Sequence, residues 1–112
     1  MIHPFTVAEL QAALASATAP LVLDVRRAPT FQQADELIPG AVWHDPERID
    51  EWSEGLDRAR RVVVYCVHGH QVSQGCAQKL RELGIKASFL EGGIEAWIST
   101  GGQTTAKTGA ST

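Results

Sequence analysis

The segment Arg61–Tyr65 is the feature that most restricts the fold of this chain. It reads Arg-Val-Val-Val-Tyr, so its side chains do not alternate between apolar and polar. A continuous apolar strand of this kind is typical of a parallel sheet that is covered on both faces. Cys66, a short loop containing Gly69 and an amphipathic helical segment follow it. This order predicts an α/β domain in which Cys66 lies at the carboxyl edge of the sheet, where such folds bind their ligands.

The segments on either side of this run alternate between strand-like and helix-like patterns. Strands are also predicted over Leu21–Val25, Ala41–His44 and Ala87–Leu90. Capping and spacing patterns predict helices after the Thr6/Glu9 capping box, over Pro29–Leu37, over Pro46–Leu56, after Ser73 and over Ile94–Ile98. This alternation predicts a central parallel sheet of about five strands with helices on both faces.

The chain has the length of one domain. Its 112 residues can bury a core without disulfides, and no repeat or linker interrupts them. From Gly101 onward the sequence consists mostly of Gly, Thr, Ala, Ser and Lys, which offer little apolar surface. We therefore assign the domain to residues 1–102 and expect residues 103–112 to form a disordered tail.

Composition excludes several classes of protein. The net charge of −3 gives no basic surface for nucleic acid, and no apolar run approaches the length of a membrane span. The first residues lack the charged and apolar regions of a signal peptide. Two cysteines are too few for a disulfide framework, so we expect a reducing cytoplasmic location.

Cys66 is the candidate nucleophile. Backbone N–H groups of the loop and the dipole of the following helix stabilise negative charge there, which favours the reactive thiolate. A buried structural thiol is the alternative, and the loop position argues against it. Cys76 instead shares an apolar helical stripe with Val72, Leu80 and Leu83, so we expect it in the core.

The loop and the first long strand also carry charged and polar side chains. His68 and His70 alternate with other residues on a tight loop, which aims them outward, and no fourth ligand is evident, so no metal is assigned. Either histidine lines a pocket mouth and donates to an anion, or is simply solvated. Arg26 and Arg27 follow the first strand on the same side, where either could add positive charge.

Four pieces of the sequence match a known family in order and spacing. They are Leu23–Arg26, Ile38–Ala41, Val64–Cys66 and Leu90–Trp97. With them the chain resembles a single-domain rhodanese, a sulfurtransferase module, over roughly Phe5 to Thr100. The resemblance implies an α/β rhodanese-like fold and a cysteine that carries sulfane sulfur as a persulfide, at the position of Cys66.

The resemblance also implies the partners of the reaction. A small sulfur-containing anion such as thiosulfate would donate sulfur, a thiol or cyanide would accept it, and neither metal nor organic cofactor would be needed. An unidentified protein partner is compatible with it as well. Asp24 and Arg26 are mostly a structural pair in this family, and we add Arg26 to the substrate-binding candidates. The others are the loop residues, whose backbone N–H groups bind the anion: Val67, His68, Gly69, His70, Gln71 and Val72.

Two features of the loop depart from the family pattern. Many active members carry Arg or Lys in the loop, and this loop has neither. Counted from Cys66 to Val72, the loop is one residue longer than in the common sulfur-handling members. This length resembles the phosphatase and arsenate-reductase branch, which ends its loop in Arg where this chain has Val72. Sulfur transfer is therefore favoured, with phosphatase or arsenate-reductase chemistry on Cys66 and a non-catalytic anion- or protein-binding module as alternatives.

Overall fold

A computed structural model describes residues 2–107 as an α/β domain. It contains five α-helices: α1 (Val7–Leu14), α2 (Ala28–Gln33), α3 (Ile49–Trp52), α4 (Gln71–Glu82) and α5 (Gly93–Ser99). It also contains six strands: β1 (Leu21–Asp24), β2 (Glu36–Leu37), β3 (Val42–Trp43), β4 (Val62–Tyr65), β5 (Ala87–Phe89) and β6 (Thr105–Ala106). None of the helices among these residues is long and apolar enough to cross a membrane.

The central sheet has four parallel strands in the order β3-β1-β4-β5. The predicted rhodanese-like α/β class is thus confirmed, whereas the expected number of about five strands is one too high. The fifth position is filled only by an isolated bridge between Phe5 and Leu90. It cannot lengthen into a strand because Thr6 already caps α1, with its hydroxyl accepting from the Glu9 amide.

Strand β4 is buried along its whole length because each face of the sheet has its own core. Val62 and Val64 face a cluster that includes Leu80 of α4. Val63 and Tyr65 face the opposite cluster, formed with residues of α1 and α5. Successive side chains of a strand point to opposite faces, so the unbroken apolar run is what a sheet between two helical layers requires.

Three predicted helices differ from those observed. The helix expected over Pro29–Leu37 ends at Gln33, since Ala34 is extended, with φ −80° and ψ 148°. The segment Pro46–Leu56 is divided into α3 and a 3-10 turn on each side. Helix α4 begins at Gln71, before the predicted cap Ser73, which is fully buried inside the helix.

The chain after Gly102 differs from the predicted disordered tail. Strand β6 pairs antiparallel with β2, and the indole N–H of Trp97 donates to the Gln103 carbonyl over 2.7 Å. The Lys107 ammonium also donates to the carbonyl of Phe31. Polar main-chain and side-chain contacts thus hold residues 103–107 against the domain, although this segment has little apolar surface to bury. The rest of the predicted tail, residues 108–112, lies outside the described residues.

Candidate active site

Cys66 lies directly after β4, at the carboxyl edge of the sheet and before α4. Its side chain is 7% exposed. Its carbonyl accepts a hydrogen bond from the Ile94 amide over 3.0 Å, and the Val67 carbonyl accepts one from the Glu95 amide over 3.1 Å. The first turn of α5 therefore holds the rear of the loop.

Two carbonyls further along the loop, those of Gly69 and His70, also accept hydrogen bonds. Gln74 on α4 donates its side-chain amide to the Gly69 carbonyl over 2.9 Å and its backbone amide to the His70 carbonyl over 3.1 Å. By contrast, the backbone N–H groups of residues 67–71 donate to no acceptor within residues 2–107. Successive unengaged amides at a helix N-terminus are an arrangement that binds anions in proteins. Anion binding by the loop of this chain stays a prediction.

Glycines let the loop and the start of α5 come this close together. Gly69 has φ +74°, and a Cβ there would lie 2.6 Å from the Gly92 nitrogen and 2.8 Å from the Leu90 carbonyl oxygen. Gly93 has φ +64°, and a Cβ there would lie 2.3 Å from the Val67 carbonyl oxygen. Both positions therefore require glycine for conformation and for space. The sequence indicated a turn at Gly93 without its contact with the loop.

Ser73 contacts the candidate nucleophile. Its hydroxyl oxygen lies 3.2 Å from Cys66 Sγ, and its side chain is fully buried. A hydroxyl can accept from the thiol and can rotate to donate to a thiolate or persulfide sulfur. Ser73 is thus a site residue that the sequence indicated only as a helix cap, because its reach to Cys66 depends on where α4 begins.

The loop borders a cavity of about 560 Å³. Every predicted site residue lines it except Gly69, which is buried between the loop and α5. The cavity is also bordered by Thr30 and Arg27, which were not among the assigned site residues. It is lined by Arg26, Arg27, Thr30, Cys66, Val67, His68, His70, Gln71 and Val72.

Arg26 reaches the edge of this cavity but its guanidinium is bound elsewhere. It forms a buried ion pair with Asp24, and Nη2 also donates to the Glu36 carbonyl over 2.9 Å. Burial by itself would lower the pKa of Arg26, but the hydrogen bonds and the charge of Asp24 raise it above its ordinary value. The Tyr65 hydroxyl also donates to Asp24 over 3.2 Å. Arg26 therefore joins β1 to β2 and has little freedom to bind substrate.

Arg27 is the cation that remains available at the cavity. It is the residue before α2, its side chain is exposed, and it makes no ion pair within residues 2–107. An unpaired guanidinium beside the loop partly compensates for the missing Arg or Lys within it. The sequence pointed to this region through the adjacent pair Arg26 and Arg27. It did not show that Arg26 would be buried and Arg27 exposed.

The loop histidines are directed outward. His68 Nδ1 lies 3.4 Å from Glu95 Oε1, and the rings of His68 and His70 are 6.0 Å apart. Within residues 2–107 no three His, Cys, Asp or Glu side chains are grouped to hold a metal ion.

Cys76 lies in the core cluster beneath α4, as predicted. Burial, and secondarily the nearby Cys66, raises the pKa of the Cys76 thiol to about 11. Cys76 is therefore a neutral thiol at physiological pH. The two cysteines are both free.

These features define a class of protein: a parallel α/β domain with a cysteine at a strand end, cradled by backbone amides at a helix N-terminus. The family model of the rhodanese-like domain matches residues 6–100. The chain belongs to the rhodanese-like family.

Sequence and structural relatives agree with this membership. The thiosulfate sulfurtransferase GlpE of Coxiella burnetii is 37% identical over 78 residues, which cover 69% of this chain and 70% of that protein. A rhodanese-related protein from Thermoplasma volcanium has 26% identity and a TM-score of 0.80, covering 92% of this chain and 97% of that one. The Alr3790 protein from Anabaena has 30% identity and a TM-score of 0.76, covering 89% and 78%.

Proposed function

We propose that this protein is a sulfurtransferase that moves sulfane sulfur from thiosulfate or a similar anion to a thiol or cyanide through a persulfide on Cys66. The observation that carries the proposal is the position of Cys66 in a loop that directs its carbonyls and amides differently. The carbonyls of Cys66, Val67, Gly69 and His70 accept hydrogen bonds from α4 and α5, while the amides of residues 67–71 donate to no acceptor within residues 2–107. The likeness to a thiosulfate sulfurtransferase supports the same donor.

The first half of the reaction loads the cysteine. The Cys66 thiolate attacks the outer sulfur of thiosulfate, the S–S bond of thiosulfate breaks, and sulfite leaves with the bonding electron pair. The negative charge of the donor lies among the amides of residues 67–71, with Arg27 at the side of the cavity. Ser73 donates to the charged sulfur from below.

The second half returns the enzyme to its starting state. A thiolate or cyanide attacks the outer sulfur of the persulfide, and the S–S bond breaks so that its electron pair returns to Cys66 Sγ. Only sulfur is transferred, and no external oxidant or reductant is consumed. Because the persulfide carries negative charge, the amides hold it between the two halves. This chemistry needs thiols in the reduced form, so we place the protein in the cytoplasm.

Oxyanion chemistry on Cys66 is the second candidate. The length of the loop counted from the sequence and the cavity of about 560 Å³ favour a tetrahedral phosphate or arsenate. The loop itself contributes no cation, since Val72 stands where the phosphate-handling relatives have Arg. A dianion would have to rely on Arg27 and the amides alone, which is why sulfur transfer is preferred.

Intact-mass measurement separates these candidates. Incubation of the reduced protein with thiosulfate is expected to add one sulfur atom, and peptide mapping is expected to place it on Cys66. Subsequent cyanide should remove it and release thiocyanate. An unmodified thiol that hydrolyses an aryl phosphate would favour the oxyanion reaction, and a protein inert to both would favour a binding module.

A further inference from the structure

A second hollow, of about 270 Å³, adjoins the cavity of Cys66. The two share Arg27 and Val72, so a molecule in the hollow would lie beside the loop. The uncharged part of its lining consists of Pro46, Ile49, Val72, Gly75 and Cys76, and the rest of its lining is charged. The hollow is thus next to the cavity that Cys66 borders, although Cys66 itself does not line the hollow.

The charges around this hollow have both signs. Arg27 and Lys79 are the cations, and Glu47 is the anion. Arg27 and Glu47 form no ion pair within residues 2–107, while Lys79 Nζ lies 3.4 Å from Asp50 Oδ1 in a pair that is exposed on both sides. A purely anionic sulfur donor matches only part of this arrangement, and cyanide is too small to span it. A thiol on a short apolar stem, with an ammonium and a carboxylate group, matches all of it.

We propose that this hollow is the acceptor subsite, and that the acceptor is a low-molecular-weight amino-acid or short-peptide thiol. The proposal rests on the proposed sulfurtransferase function. The carboxylate of the acceptor faces Arg27 and Lys79, and its ammonium faces Glu47. The acceptor thiolate attacks the outer sulfur of the Cys66 persulfide. The new S–S bond forms on the acceptor, the bond to Cys66 breaks, and the electron pair returns to Cys66 Sγ.

Gly75 keeps the hollow open. It lies inside α4, where glycine costs helix stability, and a Cβ built on it meets no atom within 4 Å. Its φ is not positive, so no backbone conformation requires glycine there. Because the first carbon of a side chain has room here and Gly75 lines the hollow, we expect a larger side chain to occupy part of the hollow.

The test uses Gly75→Leu in the full chain, with Gln78→Leu as the matched control on an exposed position of the same helix that lines neither cavity. Each protein is loaded with thiosulfate, freed of excess donor, and mixed with L-cysteine, 2-mercaptoethanol or cyanide. In Gly75→Leu we expect discharge to cysteine to slow on the order of tenfold or more, with discharge to cyanide as in the control. Equal discharge to cysteine in the two variants would overturn the proposal.

A charge variant tests the recognition itself. Glu47→Gln should raise the KM for cysteine about fivefold, the effect of one exposed ion pair, and leave the KM for the uncharged 2-mercaptoethanol unchanged. Equal effects on both thiols, or none on either, would contradict the assignment of the ammonium to Glu47. If the wild-type protein forms no persulfide at all, the proposed function itself fails. If the persulfide forms normally and neither substitution, at Gly75 or at Glu47, changes its discharge to cysteine, only the proposed acceptor subsite is rejected.

Discussion

Arg26 donates from Nε and Nη2 to the carboxylate of Asp24, with Nη2 2.6 Å from Oδ2, and both side chains are buried. The pair stands where β1 ends, beside the loop of Cys66. A guanidinium held in this way on two acceptors cannot turn to follow a substrate through a reaction. The cation next to it in the sequence, Arg27, is the one left to face the cavity, and the two arginines predict different mutant phenotypes.

Replacing Arg27 should affect substrate binding. We expect Arg27→Gln to raise the KM for thiosulfate about fivefold in persulfide formation, because one exposed charged contact with the donor is lost, and to leave thermal stability unchanged. Stopped-flow or quenched mass measurement across thiosulfate concentrations gives the KM. Arg60→Gln removes the same charge from an exposed position outside the cavity and is the control. Equal effects of the two variants would assign the result to net charge.

Replacing Asp24 should affect folding. Asp24→Asn leaves the Arg26 guanidinium buried without its counter-charge, which costs about 3–5 kcal/mol of unfolding free energy. Urea titration measures it. The control is Glu51→Gln, which breaks an Arg48 pair whose side chains are 67% and 69% exposed and should cost about 1 kcal/mol or less. A cost for Asp24→Asn no larger than the control's would mean that the buried pair does not hold β1 to β2.

Gly69 allows a test of the packing behind the loop. In Gly69→Ala the new Cβ adds a clash with the Gly92 nitrogen to the strain of a positive φ. Gly40→Ala has the strain alone, since its φ is +82° and nothing lies within 4 Å. We expect the control to lose about 1–2 kcal/mol of stability and to keep persulfide formation. Gly69→Ala should lose more stability and most of the persulfide formation. Similar results for the two variants would contradict the claim that Gly69 is required for close contact between the loop and the start of α5.

Cys66 and Cys76 should differ in reactivity. We expect Cys66→Ser to abolish sulfur transfer, because the covalent step is deleted, and Cys76→Ser to form the persulfide while losing about 1 kcal/mol of stability. With the pKa of Cys76 raised to about 11, its thiolate fraction is negligible at neutral pH and grows only as the pH approaches 11. Iodoacetamide at pH 7 should therefore modify the native protein on Cys66 alone. Modification of Cys76 first, measured by peptide mapping, would contradict this division.

Residues 103–107 should contribute to stability, which is the opposite of what a disordered tail, predicted from the sequence, would do. Removing residues from 103 onward deletes the acceptor of the Trp97 indole N–H and the partner of β2. A chain ending at Gly102 should therefore lose about 1–3 kcal/mol of stability relative to one ending at Lys107, as expected for a hydrogen bond lost by a mostly buried group. Thermal unfolding of the two truncated chains measures the difference. Identical midpoints would instead agree with the expectation, drawn from the sequence, that residues 103 onward form a disordered tail.

Local sequence patterns were sufficient to predict the main secondary-structure elements and the position of Cys66 between two of them. The apolar run of β4, the box formed by Thr6 and Glu9, and the position of Cys66 between a strand and a helix all appear in the structure. These features depend on residues a few positions apart. Side-chain periodicity and capping therefore report them without knowledge of the rest of the chain.

Tertiary structure decided which residues meet at the site. The burial of Arg26 depends on Asp24 and on the Glu36 carbonyl, and the requirement for Gly69 depends on Gly92, 23 positions later. The sequence places the two arginines and the glycines in the correct loops. It does not show which arginine is buried and which one faces the cavity. Contacts between distant segments are fixed only when the sheet and its helices pack, because many chain paths share one local pattern and packing selects among them.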